Sequence, residues 1–194
     1  MNIECDFVWS ESDNLDQYKA IFVPALYVAP DELLEKLKQY TANGGTLVAT
    51  FKTAFANENV KVSHEMQPHI LSNCFGISYQ QFTFLKNTGL SGSIINGTAI
   101  YIGCMTDNNT LKAVLTEALN SAEVEIPEYS WPVIVRKGTN DLGKCVRYIL
   151  NYSAEEQNVV YHGADGTELF SEESVQDGES ITILPWNLKI VEEA

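Results

Sequence analysis

One stretch of the sequence, Glu32–Val60 (ELLEKLKQYTANGGTLVATFKTAFANENV), constrains the fold more than any other. Its apolar residues recur at helical spacing and predict an amphipathic helix: Leu33, Leu34, Leu37 and Tyr40. Pro30 favours the first turn of that helix, and Asn43-Gly44-Gly45 ends it because glycine accepts the left-handed cap conformation. The run Thr46–Thr50 then predicts a buried strand that opens into a polar loop.

A second strand is predicted upstream of this helix. The apolar run Ala20–Val23, which Pro24 ends, is typical of a strand covered on both faces of a parallel sheet. Together the two strands and the helix make a βαβ unit, whose crossover we expect to be right-handed. A further strand is predicted at Ile3–Trp9 (IECDFVW), which is rich in strand-forming residues.

Further elements follow along the chain. We predict a short helix from Pro68 to Gly76, strands at Ile77–Phe84 and Gly97–Met105, and a helix capped by Asp107. Beyond about residue 122 the pattern changes to short β-like runs separated by turns, with no helical period. The predicted fold is therefore α/β, with a mostly parallel sheet in residues 1–122 and a small antiparallel β-sandwich in residues 123–194.

Charge and composition narrow the classes of partner. The formal net charge is -14, from 26 acidic and 12 basic residues, so nucleic acid and anionic membrane surfaces are poor partners. The N-terminus lacks a basic region followed by an apolar core, which favours a cytoplasmic protein. Four widely separated cysteines predict reduced, mostly buried thiols. We expect no cofactor and no metal.

Four motifs could carry chemistry, and each also has a structural explanation. The histidines of His64–His69 (HEMQPH) are five residues apart with a proline between them, so one helical face cannot present both to a metal. Cys74 lies on the apolar side of a helix, where burial is the expected reason for it. The glycine-rich run Gly89–Gly97 precedes a strand and indicates a hairpin or loop connection. The acidic cluster Glu123–Glu128 could supply the carboxylate pair of a glycoside hydrolase, but such a pair is defined by its spacing in the fold. In a chain with 26 acidic residues, a solvated acidic surface is the simpler explanation.

The ends of the two buried strands are the place where an open α/β sheet binds a ligand or a partner. Aromatic residues follow these strands, and aromatic side chains anchor interfaces. The crevice and interface candidates are Pro24, Leu26, Tyr27, Thr50, Phe51, Lys52, Phe55, Asn57 and Glu58.

The segment Leu15–Val62 resembles the second domain of bacterial β-galactosidases of glycoside hydrolase family 42. The matching positions are Leu15, Tyr18, Lys19, Pro24, Leu26, Asn43, Gly44, Gly45, Thr46, Leu47, Val48, Thr50, Thr53, Ala54, Asn57 and Glu58. Later stretches (IYIGC, VIVRKG, CVRYILNYS, SITILPWNLKIV) resemble the end of that domain and the small β-domain that closes such enzymes.

This resemblance implies a flavodoxin-like domain, similar to class I glutamine amidotransferases without their catalytic cysteine, that serves trimer assembly. It places the two catalytic glutamates on a barrel of about 250 residues outside this sequence, so no residue here is catalytic. It also implies that one strand and one helix of the domain are missing before Ile3. The expected partners are further copies of the chain, in a trimer, or a catalytic barrel chain.

Two other classes of function stay open. One is an amidotransferase-like protein that binds a small molecule near Tyr27, Thr50 and Lys52. The other is a carbohydrate-binding module in which Trp131 or Trp186 stacks on sugar.

Overall fold

The computed structural model describes residues 1–80, 90–94 and 97–194. Contacts divide the chain into two units. The α/β unit is Phe7–Glu125, and the β unit combines Met1–Asp6 with Ile126–Ala194. No helix in the described part of the chain is long and apolar enough to cross a membrane.

The α/β unit contains three α-helices and four strands within the described residues. In chain order they are β1 (Ala20–Val23), α1 (Asp31–Ala42), β2 (Thr46–Thr50), α2 (Ser72–Phe75), β3 (Leu90–Ile94), β4 (Gly97–Ile102) and α3 (Asn108–Ser121). The strands form one sheet in the order β1-β2-β4-β3. Strands β1, β2 and β4 run parallel, and β3 pairs antiparallel with β4.

Helices cover both faces of this sheet. On one face α1 packs Leu34 and Leu37 into a cluster with Leu47 and Ala49 of β2. On the other face, Ala118 of α3 packs with Val48, Ile100 and Ile102. Alternate residues of β2 therefore point into different cores, which is why its sequence is continuously apolar. The predicted βαβ unit is confirmed.

The turn signals behave as predicted. Gly44 adopts φ 105 after α1, and a Cβ on Gly45 would lie 2.2 Å from the Tyr40 ring, so both glycines are required. The side chain of Asp107 accepts hydrogen bonds from the amides of Asn109 (2.9 Å) and Thr110 (3.0 Å), as an N-cap. The pairing of β3 with β4 is that of a hairpin.

Several boundaries differ from the predictions. The predicted strand Ile3–Trp9 is wrong: these residues form no strand. Instead, the Asn2 side chain donates to the carbonyl of Val133 (2.7 Å), and Glu4 accepts from the amide of Lys137 (3.3 Å). A strand needs a neighbour to pair with, and here side chains make the contacts.

The other differences are smaller. The helix predicted from Pro68 is a 3₁₀ turn, His69–Leu71, that runs into α2 and ends at Gly76 with φ 64. Strand β4 ends at Ile102 instead of Met105. Of the strand predicted at Ile77–Phe84, only Tyr79 makes a bridge, to Gln67, while residues 81–84 lie outside the described residues.

Seven strands make up the regular secondary structure of the β unit within the described residues. They are β5 (Val133–Thr139), β6 (Cys145–Asn151), β7 (Gln157–Val160), β8 (Gly166–Glu168), β9 (Ser174–Val175), β10 (Ser180–Ile183) and β11 (Leu188–Glu193). An antiparallel five-stranded sheet has the order β5-β6-β11-β8-β9, and β10 pairs with β7. Val135, Ile149 and Val191 of the larger sheet share one core with Ile181 and Ile183 of the smaller.

A charged group is buried in the β unit. The Arg147 Nε donates to Glu193 Oε1 at 2.7 Å, and the Tyr161 hydroxyl donates to the same oxygen at 3.2 Å. Burial opposes ionisation of Glu193, but hydrogen bonds from Cys145 and Arg147 and the charge of Arg147 hold its pKa below its usual range. Burial and the carboxylate raise the pKa of Tyr161 to about 12. The ion pair therefore stays charged at neutral pH.

Candidate assembly interface

Two loops run side by side at the C-terminal ends of β1 and β2. The first loop comprises residues 24–30, and the second comprises residues 51–62. Backbone hydrogen bonds between them run from Ala54 N to Leu26 O (2.9 Å), from Phe55 N to Tyr27 O (3.1 Å) and from Ala29 N to Ala56 O (2.9 Å). The amides at this edge of the sheet are thus paired within the fold.

An aromatic stack covers the join between the loops. The rings of Tyr27 and Phe55 lie 5.1 Å apart between centroids, with an interplanar angle of 27°. Tyr27 is exposed and Phe55 is half-buried. Offset stacking of this kind holds both rings in one orientation and leaves an apolar surface facing outward.

The second loop ends in a tight hairpin. Ala56 bridges Val28 in parallel and Val62 in antiparallel sense. The Asn57 side chain accepts hydrogen bonds from the amides of Asn59 and Lys61, each at 3.0 Å. Asn57 therefore acts inside the hairpin and stabilises its turn.

Val60 occupies the tip of this hairpin in an unusual conformation. Its φ is 60, in the left-handed region that β-branched residues rarely adopt. Its side chain is 67% exposed. Strain of this kind is uncommon for an exposed apolar residue, so Val60 is a candidate for contact with a partner.

The two loops together carry five exposed or half-buried apolar side chains, a group that we call the hairpin patch: Tyr27, Val28, Phe55, Val60 and Val62. Charged side chains flank it, among them exposed Glu58 and Lys61. An apolar centre with a polar rim is the usual composition of a protein interface.

The strand ends below the patch are tightly built. The Thr50 hydroxyl accepts from the amide of Ala25 at 2.7 Å, and the buried Thr53 hydroxyl donates to the carbonyl of Val23 at 3.5 Å. Positive φ values occur at Ala25 (47), Lys52 (65) and Ala54 (58). This concentration of strained backbone marks the edge as a specialised part of the fold.

The predicted candidates occupy different positions at this edge. Pro24 and Glu58 are exposed, whereas Phe51 and Lys52 are half-buried. Leu26 is partly buried against the core of the α/β unit. Val28 and Val62 were missed. The sequence signal that could have identified Val62 is the alternation Val60-Lys61-Val62, which places two β-branched residues in an otherwise polar loop.

Two hydrogen-bonded phenols, Tyr79 and Tyr101, are the candidates for a general base near the described strand ends. The hydroxyls of Tyr79 and Tyr101 are 2.8 Å apart. Burial raises the pKa of Tyr79, although hydrogen bonds from Tyr101 and the Lys52 backbone oppose it. Burial and Tyr79 together raise the pKa of Tyr101. Both phenols are therefore neutral near pH 7, and neither can act as a general base.

The remaining chemical candidates have structural roles. His69 Nε2 lies 3.1 Å from Asp31 Oδ1, and its Nδ1 lies 3.0 Å from Glu65 Oε2, so carboxylates engage both ring nitrogens. Within the described residues, no group of three or more His, Cys, Asp or Glu side chains is arranged to hold a metal. Burial raises the pKa of the Cys74 thiol, which makes it a weak nucleophile.

The four cysteines form no disulfide. Burial is confirmed for Cys74 and Cys104, whereas Cys145 is half-buried and Cys5 is exposed. Their reduced state stays a prediction.

Comparison with known proteins shows what this chain is similar to. The model of the β-galactosidase trimerisation domain matches residues 1–93. β-Galactosidase BgaB of Geobacillus sp. (strain Y412MC61) is 38% identical over 81 residues, 42% of this chain and 12% of the relative. β-Galactosidase LacZ of Heyndrickxia coagulans is 24% identical over 237 aligned positions, covering 98% of this chain and 34% of the relative.

Solved structures share the fold over the full chain. A β-galactosidase from Bacillus circulans sp. alkalophilus matches with a TM-score of 0.87 and 20% identity, covering 100% of this chain and 35% of that protein. Gan42B, a GH42 β-galactosidase from G. stearothermophilus, matches with a TM-score of 0.87 and 19% identity over 99% of this chain and 34% of its own. The chain spans about a third or less of these relatives, and its described residues contain no catalytic barrel. Residues 1–93 thus match the β-galactosidase trimerisation domain, and the homologues of the chain are β-galactosidases of glycoside hydrolase family 42.

Proposed function

We propose that this chain is the assembly region of a β-galactosidase-like glycoside hydrolase and forms a homotrimer through the hairpin patch. The family match to a trimerisation domain supports oligomer formation. The observation that carries the choice of surface is Val60, a strained and exposed apolar residue in the same loop as Phe55 of the Tyr27–Phe55 stack.

Three finer points belong to this proposal. The parallel strands β1, β2 and β4 would form the centre of a flavodoxin-like, amidotransferase-like domain that ends near residue 122, with a β-sandwich beyond it. The catalytic glutamates would lie on a barrel outside this sequence, in the same protein or in a partner chain. The assembly would work in the cytoplasm.

A small-molecule site at Tyr27, Thr50 and Lys52 is the weaker alternative. Ligands at strand ends are usually held by free backbone amides or by an activated side chain. At this edge the amides of Ala54 and Phe55 already donate to the first loop. The geometry thus favours a contact surface over a ligand pocket.

Light scattering after size exclusion, over a dilution series, tests the proposal. We expect a concentration-stable species of three times the 21.6 kDa chain mass. Phe55→Asp places a charge in the patch and should yield a monomer. Phe170→Asp is the matched control, since Phe170 is an exposed phenylalanine of the β unit, and it should stay trimeric. A monomeric wild type, or an unchanged Phe55→Asp trimer, would refute the assembly surface.

A further inference from the structure

Three aromatic residues lie at one end of the five-stranded sheet in the β unit. Trp131 lies two residues before β5, Tyr152 directly follows β6, and Trp186 lies two residues before β11. The registers pair Val133 with Asn151 and Leu188 with Leu150. All three aromatic residues therefore lie at the same end of the sheet, where β5, β6 and β11 begin or end.

The rings are exposed and partly ordered. Trp131 is 70% exposed and Trp186 is 68% exposed. Trp131 stacks on Tyr152, with centroids 6.1 Å apart and an interplanar angle of 28°. The Tyr152 amide donates to the carbonyl of Pro132 at 3.0 Å, which fixes the backbones that carry this pair. We call Trp131, Tyr152 and Trp186 the aromatic edge.

A buried asparagine holds the turns that carry the aromatic edge. The two N–H groups on Asn151 Nδ2 are shared among three carbonyls, those of Glu155 (2.7 Å), Ile183 (3.1 Å) and Leu184 (3.0 Å). The Asn151 side-chain oxygen accepts from the amide of Ser153 at 3.0 Å and from the Ser153 hydroxyl at 2.8 Å. This full set of bonds makes the edge rigid before any ligand arrives.

Trp186 adopts a strained conformation within these turns. Its φ is 52, which is unfavourable for a bulky side chain. Hydrogen bonds from its amide to the Ser153 carbonyl (3.0 Å) and from Asn151 N to the Asn187 carbonyl (2.9 Å) maintain it. A strained, exposed tryptophan is an observation independent of the Trp131–Tyr152 stack, and it indicates a binding role.

The charges around the edge select the ligand. The segments 130–133, 151–157 and 184–188 contain two glutamates, Glu155 and Glu156, and no lysine, arginine or histidine. Nucleobases also stack on aromatic rings, but their phosphates need cations. The chain carries -14 formal charges, which adds to the repulsion of anions. Anionic ligands are therefore disfavoured at this end of the sheet.

We propose that the aromatic edge binds a neutral saccharide, a β-galactoside in particular. One face of a pyranose presents C–H groups with partial positive charge, which complement the negative face of an aromatic ring. Hydroxyl groups at the sugar rim can donate to the carboxylates of Glu155 and Glu156. The choice of a galactoside rests on the proposed function, whereas the choice of a neutral saccharide rests on the edge itself.

Calorimetric titration of the 194-residue chain with lactose and with β-1,4-galactotetraose tests the proposal. We expect saturable binding with a Kd on the order of 1 mM or tighter for the tetraose. Trp131→Ala and Trp186→Ala should each weaken it about tenfold. Trp131→Phe should keep part of the affinity, because a smaller ring remains. Trp9→Ala is the matched control, an exposed tryptophan of the α/β unit, and should change the affinity less than twofold.

Each outcome has a definite meaning. Absence of saturable heat with both saccharides, an equal effect of Trp9→Ala, or tighter binding of a proline-rich peptide at the same residues would overturn the saccharide site. Circular dichroism of the alanine variants shows that lost binding is not lost folding. Solution mass separates this inference from the assembly proposal: saccharide binding by a monomer refutes only assembly, and a trimer that binds no saccharide refutes only the aromatic edge.

Discussion

Replacement of Val60 by asparagine should stabilise the single chain and weaken its assembly. Asparagine tolerates the left-handed conformation that Val60 adopts at φ 60. A non-glycine residue there costs about 1–2 kcal/mol. Because the side chain is 67% exposed, the variant loses only about 0.5 kcal/mol of burial. The free energy of unfolding of the α/β unit should therefore rise by about 1 kcal/mol.

The effect on assembly has the opposite sign. If a trimer buries the exposed two-thirds of Val60, each chain gains about 1 kcal/mol from it. Three chains together gain about 3 kcal/mol, so the trimer association constant of Val60→Asn should fall roughly a hundredfold. Sedimentation equilibrium measures this constant. Urea unfolding at a protein concentration low enough for the trimer to dissociate measures the stability of the single chain.

Val160→Asn provides the comparison. Val160 is an exposed valine in β7 of the β unit, where asparagine is a poor strand former, so this variant should lose stability and leave association unchanged. If Val60→Asn lowers the free energy of unfolding, the left-handed strain at the hairpin tip is not real. If it leaves the association constant unchanged, the hairpin tip lies outside the interface.

Two further predictions concern the β unit. Glu193→Gln leaves the Arg147 charge buried without its partner and should lower the free energy of unfolding by about 3 kcal/mol at pH 7. Because the pKa of Glu193 is held below its usual range, this stabilisation is complete above the unfolded-state pKa of roughly 4.3. This stabilisation is lost as the pH falls through the lower folded-state pKa. Urea unfolding should therefore show the free energies of unfolding of the wild type and of Glu193→Gln converging in acid. A constant difference between them down to roughly pH 3 would contradict the ion pair. Asn151→Ala removes the donor to three carbonyls and should cost about 3 kcal/mol; an equal cost for Asn158→Ala, an exposed asparagine of β7, would show that the buried network is not special.

The elements that the sequence predicted correctly are those specified by local patterns. Helix α1 is bounded by Pro30 and Gly44, and its stripe repeats every three or four residues, so no distant contact is needed to find it. Asp107 is read as a cap for the same reason. The strand predicted at Ile3–Trp9 is wrong because a strand exists only with a partner. The hydrogen-bond partners of Asn2 and Glu4, which are Val133 and Lys137, lie more than a hundred positions away.

The candidate surface could be predicted only in part. Aromatic residues after a buried strand pointed to the edge that carries Tyr27 and Phe55. The pairing of the two loops through Val28 and Ala56 depends on contacts about thirty residues apart, and no local period reports it. The left-handed conformation of Val60 could not be predicted either, because β-branched residues such as valine rarely adopt a positive φ.

The proposed assembly surface replaces the crevice that this type of fold usually offers to a ligand. In open α/β sheets a crevice stays at this edge because the loops separate above it. Here the first loop accepts the amides of Ala54 and Phe55, and Thr53 is buried between the strands. The groups that would hold a ligand are thereby consumed within the fold. What the edge presents outward is the Tyr27–Phe55 stack and the valines of the hairpin, a surface that gains free energy only when another protein covers it.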